Sequence, residues 1–320
     1  MDRRQFVRTI GLGAMAGAGI GAIGPQIAAA AQSEGNADKS KVARLLPGNC
    51  AYSYGRDMGY VNGKAQQGKT MKLEDVILDA VEQKIAAVDM TTYYLTSTTP
   101  EYLQSLRYLA YKHGVAFSGA ACRSSLVQAT PEMRANVLNE IKQWVDVTAQ
   151  LGASHLRIFA GKQPDGTSIQ EATGWVVEGL KAACDYAGVK GVVLGVEDHS
   201  GVTQTADVCI EIMQRVNHPY ATINLDITNF INSPTQDAYA QIAACLPYSS
   251  GNIHIRDHFY GADHALVDMD RVWKLFAQAG YQGYVSAEYE SNYPGSLPPS
   301  AAVPKLLDTI KTLCQKYSSV

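Results

Sequence analysis

The chain has 320 residues, 46% of them hydrophobic and 18% charged, with a net charge of −3. That balance excludes a disordered, collagen-like or coiled-coil chain and supplies enough apolar mass for a large core. It also excludes the broad basic field that a nucleic-acid partner requires. Six cysteines spread over this length form no Cys-x-x-Cys pair and no metal-like spacing. They read as buried thiols, with a disulfide left open as the alternative in an oxidising compartment.

The first element in chain order is an address. Asp2-Arg3-Arg4-Gln5-Phe6-Val7-Arg8 is a basic start, followed by an apolar Gly/Ala-rich run over 10–23, Pro25, and Ala28-Ala29-Ala30-Ala31. This is the order of charged region, apolar region and small-residue cleavage site in a secretory signal. The arginine pair before Gln5-Phe6, with its weakly hydrophobic run, resembles a twin-arginine signal. Residues 1–32 are therefore expected to be a cleaved signal peptide, with the twin-arginine translocase as export partner and the periplasm as destination. The run is shorter than the roughly 20 apolar residues of a spanning helix, so no stable membrane insertion is expected. Residues 33–45 read as a flexible leader.

From residue 46 onward, short β-like runs alternate with longer amphipathic stretches. Strands are expected near 48–54, 86–90, 116–121, 155–160, 192–197, 221–226, 252–256 and 284–288. Helices are expected near 73–83, 100–113, 131–151, 169–187, 203–216, 236–245, 269–279 and 301–317. Leu73, Val76, Ile77 and Val81 illustrate the helical spacing of apolar residues. Such alternation implies parallel strands joined by right-handed crossovers. Eight units over 46–320 predict an α/β fold, a single-domain (β/α)8 TIM barrel. An open doubly wound sheet would show a Gly-rich phosphate turn after its first strand, and Tyr52-Ser53-Tyr54-Gly55 is not one.

In such a barrel, the strand ends and the loops after them form the active face. Glu197, Asp226, His254 and Glu288 close the last four strands at separations of 29, 28 and 34 residues. One strand–helix unit separates each pair, so the four side chains can converge. Three carboxylates packed together repel unless a cation sits between them. Oxygen donors with one imidazole suit one divalent ion, manganese first and magnesium next. Four further residues are candidates for substrate contact. His199 is read as a hydroxyl contact, an extra base or a structural histidine. Arg256 either steadies an enediolate oxygen or pairs with a neighbouring acid, and Arg157 either binds substrate or forms an interior ion pair. Tyr94, with Tyr52, Tyr54, Tyr93 and Tyr289, either stacks on a sugar ring or packs. Asp198 and Asp257 alternate away from this face and, with Glu290, read as supporting or surface groups.

At these motifs the chain resembles the sugar phosphate isomerase/epimerase superfamily, the xylose-isomerase-like TIM barrels. The residues that carry the resemblance are 87–94 (AVDMTTYY), 196–199 (VEDH), 225–230 (LDITNF), 253–257 (IHIRD) and 286–289 (SAEY). The resemblance implies Glu197, Asp226, His254 and Glu288 as ligands of one divalent ion, with cobalt or zinc as further options. It also implies Glu197 and Glu288 as the acid/base pair. Many epimerases of the family carry a histidine three residues after the strand-six aspartate. This chain has Asn229 there, a candidate substrate contact whose departure bears on substrate identity.

The function expected is a metal-dependent sugar or polyol isomerase or epimerase that moves a proton beside a carbonyl through an enediolate. The alternative is a lyase, dehydratase or glycoside-cleaving enzyme on a keto-sugar or keto-glycoside, in which a β-substituent leaves after the same proton abstraction. A non-catalytic sugar-binding barrel is the remote alternative. Phosphorylated substrates are not favoured, because no Gly-rich phosphate nest follows strand seven or eight. Abasic-site nucleases share the fold but use a cluster of extra histidines to hold more than one metal. Seven histidines, an acidic balance and the export signal argue against that class. The partner expected is thus a small carbohydrate, and oligomeric state stays open. If the translocase reads the arginine pair rather than general charge, Arg3→Lys with Arg4→Lys will leave unprocessed protein in the cytoplasm. Cell fractionation checks this, and a normal periplasmic level of the double variant would refute it.

Overall fold

The computed structural model describes residues 42–231, 237–259, 265–290 and 295–319. The signal-like residues 1–32 and the leader up to residue 41 lie outside them. The described chain alternates strand and helix from end to end. It runs β1 (Arg44–Cys50), α1 (Leu73–Glu82), β2 (Ala87–Thr91), α2 (Pro100–Lys112), β3 (Ala116–Ser125) and α3 (Pro131–Leu151). Then come β4 (His155–Phe159), α4 (Ile169–Val189), β5 (Val193–Glu197), α5 (Ala206–Val216) and β6 (Ala221–Asn224). It ends with α6 (Ala238–Cys245), β7 (Gly251–Ile255), α7 (Met269–Ala279), β8 (Gln282–Ala287) and α8 (Pro299–Tyr317). A small hairpin, Tyr60–Val61 with Lys64–Ala65, decorates the β1–α1 connection.

All eight strands pair in parallel, in the order β6-β5-β4-β3-β2-β1-β8-β7. Single bridges at Ile223–Ser249 and Asp226–His254 join the two ends of that sheet. There the His254 N–H donates to the Leu225 carbonyl at 2.8 Å. The result is the (β/α)8 barrel that the alternation predicts.

The differences from the sequence pattern are local. β1 begins at Arg44, opposite Gln282 of β8, with Ala43 and Leu45 buried; the barrel therefore starts two residues before 46. Residues Ala51–Tyr54, expected in strand one, form a 3-10 turn. In α1, Leu73, Val76, Ile77 and Ala80 are buried, whereas Val81 is 41% exposed. Helix starts are fixed by side chains that accept otherwise orphaned N–H groups. Thr130 accepts from Met133 N at 3.2 Å and Ser168 from Glu171 N at 3.1 Å. Gly152 ends α3 at φ 84°, a left-handed position that glycine takes without a Cβ penalty. All six cysteines are buried free thiols. No described helix is long and apolar enough to cross a membrane.

Helices cover the outside of the barrel with aliphatic side chains, while the inside is polar. Asn252 Nδ2 donates to Asp89 Oδ2 at 2.6 Å, and Ser286 Oγ donates to Asn252 Oδ1 at 2.7 Å. His155 fills the space beside β5 so closely that a Cβ on Gly195 would lie 2.4 Å from its Nε2. Neither His155 ring nitrogen has a hydrogen-bond partner. Burial lowers its pKa from 6.5 to about 4, so the imidazole is neutral in the fold. Between those two values the unfolded chain binds a proton that the folded chain refuses. The stability His155 contributes above about pH 6.5 is therefore lost as the pH falls towards 4. His155→Asn is expected to flatten that stretch of a stability–pH profile measured by urea unfolding, and an unchanged slope would count against the assignment.

Candidate active site

Strand register decides which side chains meet at the open end. Glu197 is the last residue of β5 and lies opposite Asn224, the last residue of β6, so Asp226 stands two residues past the end of that strand. Ser286 lies opposite His254, and the Glu288 N–H donates to the Ile255 carbonyl at 2.8 Å. Glu288 is thus level with Arg256, while His254 sits one step deeper. The consequence is a difference from simple convergence. Ligand oxygens of Glu197, Asp226 and Glu288 lie within 4.8 Å of one another. His254 reaches only Glu288 of that trio, through Nδ1, and groups instead with Cys50 and Glu288.

Two of the carboxylates use one oxygen to anchor themselves and turn the other to an arginine. Asp226 Oδ1 accepts from Thr228 N at 3.0 Å and Thr228 Oγ1 at 2.7 Å, and Oδ2 lies 3.0 Å from Arg256 Nη2. Glu197 Oε1 accepts from Asn229 Nδ2 at 3.2 Å, and Oε2 lies 3.0 Å from Arg157 Nε. Glu288 puts Oε1 3.4 Å from Arg256 Nη2 and Oε2 against His254. Glu197 Oε2, Asp226 Oδ2 and Glu288 Oε2 are buried and, despite these ion pairs, accept no hydrogen bond of good geometry.

The surroundings separate the carboxylates electrostatically. Burial raises the Glu197 carboxyl above its ordinary range, against the pull of Arg157. Burial acts the same way on Glu288, but His254 and Arg256 outweigh it and hold that carboxyl well below its ordinary range. His254 carries its proton far above the usual imidazole range; burial opposes the charge, while the Cys50 sulfur and Glu288 favour it. Burial pushes Cys50 itself up to about 12. Its thiol is therefore neutral near pH 7, and Glu288 is the charge that sustains the imidazolium. A metal ion taking His254 as ligand would displace that proton.

Above the trio opens a cleft of about 330 Å³ lined by Glu197, Glu288, Arg157, Arg256 and His199, with Tyr52, Tyr93 and Arg123 on its wall. The residues singled out from the sequence fall into it unevenly. Arg157 lines the cleft and is also the interior ion-pair partner of Glu197. His199 stands at the wall with its ring edge 4.9 Å from Phe159 and Nδ1 3.1 Å from Ser200 Oγ. Asn229 braces Glu197. Tyr94 is buried and faces a neighbouring cleft, so Tyr93 and Tyr52 are the tyrosines on this wall. Glu290, read as a supporting or surface group, lines the cleft and pairs with Arg256 Nη1 at 2.8 Å; it stands two residues past Glu288 and shares its parity. Asp257 pairs with His258 at the surface.

Three residues escaped the sequence reading. Asp89 lies 3.5 Å from His254 Nε2 and so orients the ring from below; its inward parity on β2 was the available signal. Cys50 ends β1 beside the same ring. Arg123 lies near the end of the long β3, where nothing in the pattern distinguishes it.

A polar, carboxylate-rich pocket at the strand ends of a (β/α)8 barrel defines a class of barrels built for small polar substrates. The chain belongs to the xylose isomerase-like TIM barrel family, whose model matches residues 77–313. Its fold is similar to a D-psicose 3-epimerase solved with D-tagatose, from Clostridium cellulolyticum H10. That match has 14% identity, TM-score 0.65, and covers 85% of this chain and 98% of that one. It is also similar to a xylose isomerase-like barrel from Mycobacterium smegmatis in complex with magnesium, at 15% identity, TM-score 0.63 and the same coverage. A probable 3-DHS dehydratase from Bacillus anthracis matches at 14% identity and TM-score 0.62, over 84% of this chain and 98% of that one. None of the curated proteins matches the chain in sequence.

Asp198 supports the site from behind. It is fully buried, and its Oδ1 accepts from Asp226 N at 2.6 Å. Burial, with Asp226 nearby, raises its carboxyl well above the ordinary range, which favours the neutral acid. Asp198→Asn keeps both neutrality and the acceptor and is expected to leave stability nearly unchanged. Asp198→Ala orphans the Asp226 N–H and is expected to cost about 1–3 kcal/mol. Urea denaturation of the two variants checks the difference, and equal costs would overturn it.

Proposed function

We propose that the protein is a metal-dependent sugar or polyol isomerase or epimerase that transfers a proton beside a carbonyl. The observation that carries this reading is the buried trio Glu197, Asp226 and Glu288, with oxygens within 4.8 Å of one another and Glu197 and Glu288 lining the cleft. The donor set fits a divalent ion, since one oxygen of each carboxylate is buried without a well-formed hydrogen bond. Glu197, Asp226 and Glu288 would hold it, with His254 as the nitrogen donor beside Glu288. Mostly oxygen donors favour manganese or magnesium over zinc. When bound, the ion supplies positive charge that acidifies the hydrogen between a carbonyl and its neighbouring hydroxyl.

The chain's own residues supply the rest. Two carboxylates with environments that push their proton affinities apart are suited to acid and base roles. Glu288, held ionised by His254 and Arg256, is the base that takes the proton from carbon. Glu197, raised by burial, is the acid that returns one from the β5 side. Arg157 fixes Glu197, and Arg256 puts a guanidinium beside both Asp226 and Glu288, where it steadies a developing oxyanion. Membership of the xylose isomerase-like family supports this reading, as does a fold shared with an epimerase. A lyase reading has one observation in its favour: His199 on the cleft wall beside Glu197, placed to protonate a departing oxygen. The Arg3-Arg4 start supports a periplasmic place of work.

The purified protein is expected to bind about one divalent ion per chain, and Asp226→Asn to lower that content in elemental analysis. Glu197→Gln and Glu288→Gln are each expected to lower turnover by roughly 10²–10⁴-fold while the fold is kept. Wild-type enzyme in D₂O will place deuterium on the carbon beside the carbonyl of an epimerised product. Normal turnover by both variants, or products free of solvent deuterium, would overturn the two-carboxylate mechanism. A product lacking the elements of water or an alcohol would move the reading to the lyase.

A further inference from the structure

Two of the three arginines on the cleft wall are engaged with the protein itself. Arg157 serves Glu197, the Cys122 carbonyl at 3.1 Å and the Tyr93 hydroxyl at 3.1 Å. Arg256 serves Asp226, Glu288 and Glu290. Arg123 is exposed, and among the described residues it forms no ion pair. Its guanidinium carbon instead lies over the Tyr93 ring, 4.3 Å from the centroid. Tyr93 is in turn fixed by Arg157, so the platform beneath Arg123 is anchored to the catalytic floor. Stacking occupies the face of a guanidinium and leaves its in-plane N–H fork for a ligand.

Charge balance points the same way. Arg123, Arg157 and Arg256 match Glu197, Glu288 and Glu290 on the cleft wall. With buried Asp226 and a divalent ion added, one positive charge is left over. The adjoining cleft shares Arg123 and brings Arg56 and Lys69 to the same rim.

We propose that Arg123 is a carboxylate-binding subsite and that the substrate is a sugar acid, held by its carboxylate at Arg123 while its carbonyl end faces Glu197 and Glu288. The proposal rests on the active-site reading above and names its substrate class. A single guanidinium offers one carboxylate a two-bond partner, and preference for a phosphate at this rim is an outcome that the test below separates.

The test is calorimetric titration of the manganese-loaded protein with D-glucuronate, D-galacturonate and D-mannuronate beside the corresponding hexoses and hexose 6-phosphates. At least one uronate is expected to bind roughly 10- to 100-fold tighter than its hexose, the worth of a charge-assisted contact. Arg123→Gln is expected to abolish that preference and Arg123→Lys to restore part of it, with metal content unchanged. No uronate preference in the wild type, a preference that survives Arg123→Gln, or a stronger preference for the 6-phosphates would each overturn the subsite. Failure of the underlying reading looks different. Protein that takes up no metal yet keeps an Arg123-dependent uronate preference retains the subsite and loses the metal enzyme. Metal-dependent deuterium exchange without uronate preference does the reverse.

Discussion

Three buried carboxylates within 4.8 Å of one another are the constraint around which the barrel interior is arranged. Like charges at that spacing, removed from water, oppose folding unless cations or protons answer them. The protein answers with Arg157 at Glu197, Arg256 between Asp226 and Glu288, and a protonated His254 against Glu288. A further layer below keeps those answers in place: Asp89 and Asn252 under the imidazole, and Asp198 behind Asp226. A barrel whose only task was to be stable would fill this space with branched aliphatic side chains. The aliphatic packing between strands and helices outside carries the stability that the polar interior does not.

How much of this was legible in the sequence depends on the range of the information. Strand–helix alternation is local, and the elements came out close to their expected bounds. The inward parity of Glu197, Asp226, His254 and Glu288 is local too. The level of each residue around the barrel is not local, because it follows from the stagger between neighbouring strands. That stagger sets Arg256 level with Glu288 and His254 one step deeper, from where its ring still reaches Glu288. Tyr93 and Tyr94 were indistinguishable for a similar reason: the 3-10 turn Thr92–Tyr94 sends them to different clefts. Glu290 was misjudged although it shares the parity of Glu288, and it lines the cleft as that parity implies.

The family shares a fold, and the fold alone does not decide the chemistry. Relatives at 14–15% identity superimpose over most of this chain, which fixes the fold and leaves chemistry to particular side chains. In this chain two features shape the wall. Asn229 spends its side chain on Glu197. β3 runs ten residues, with a register shift between Ala121 and Ser125, and that irregular stretch carries Arg123 to the rim.

The junction of β6 and β7 is the thinnest part of the hoop. Every other neighbouring pair of strands shares a ladder of at least three residue pairs, whereas this one is joined by single bridges at Ile223–Ser249 and Asp226–His254. Arg256, at the end of β7, reaches Asp226 past β6 on one side and Glu288 past β8 on the other. The guanidinium is therefore a clasp over the joint as well as a counter-charge. Any ligand that draws Arg256 towards itself loosens the hoop where it is weakest, and occupancy of the cleft becomes mechanically coupled to the tightness of the barrel. Amide exchange at Ile227 and His254, whose N–H groups span the joint at 3.3 and 2.8 Å, would register that coupling before any other part of the sheet.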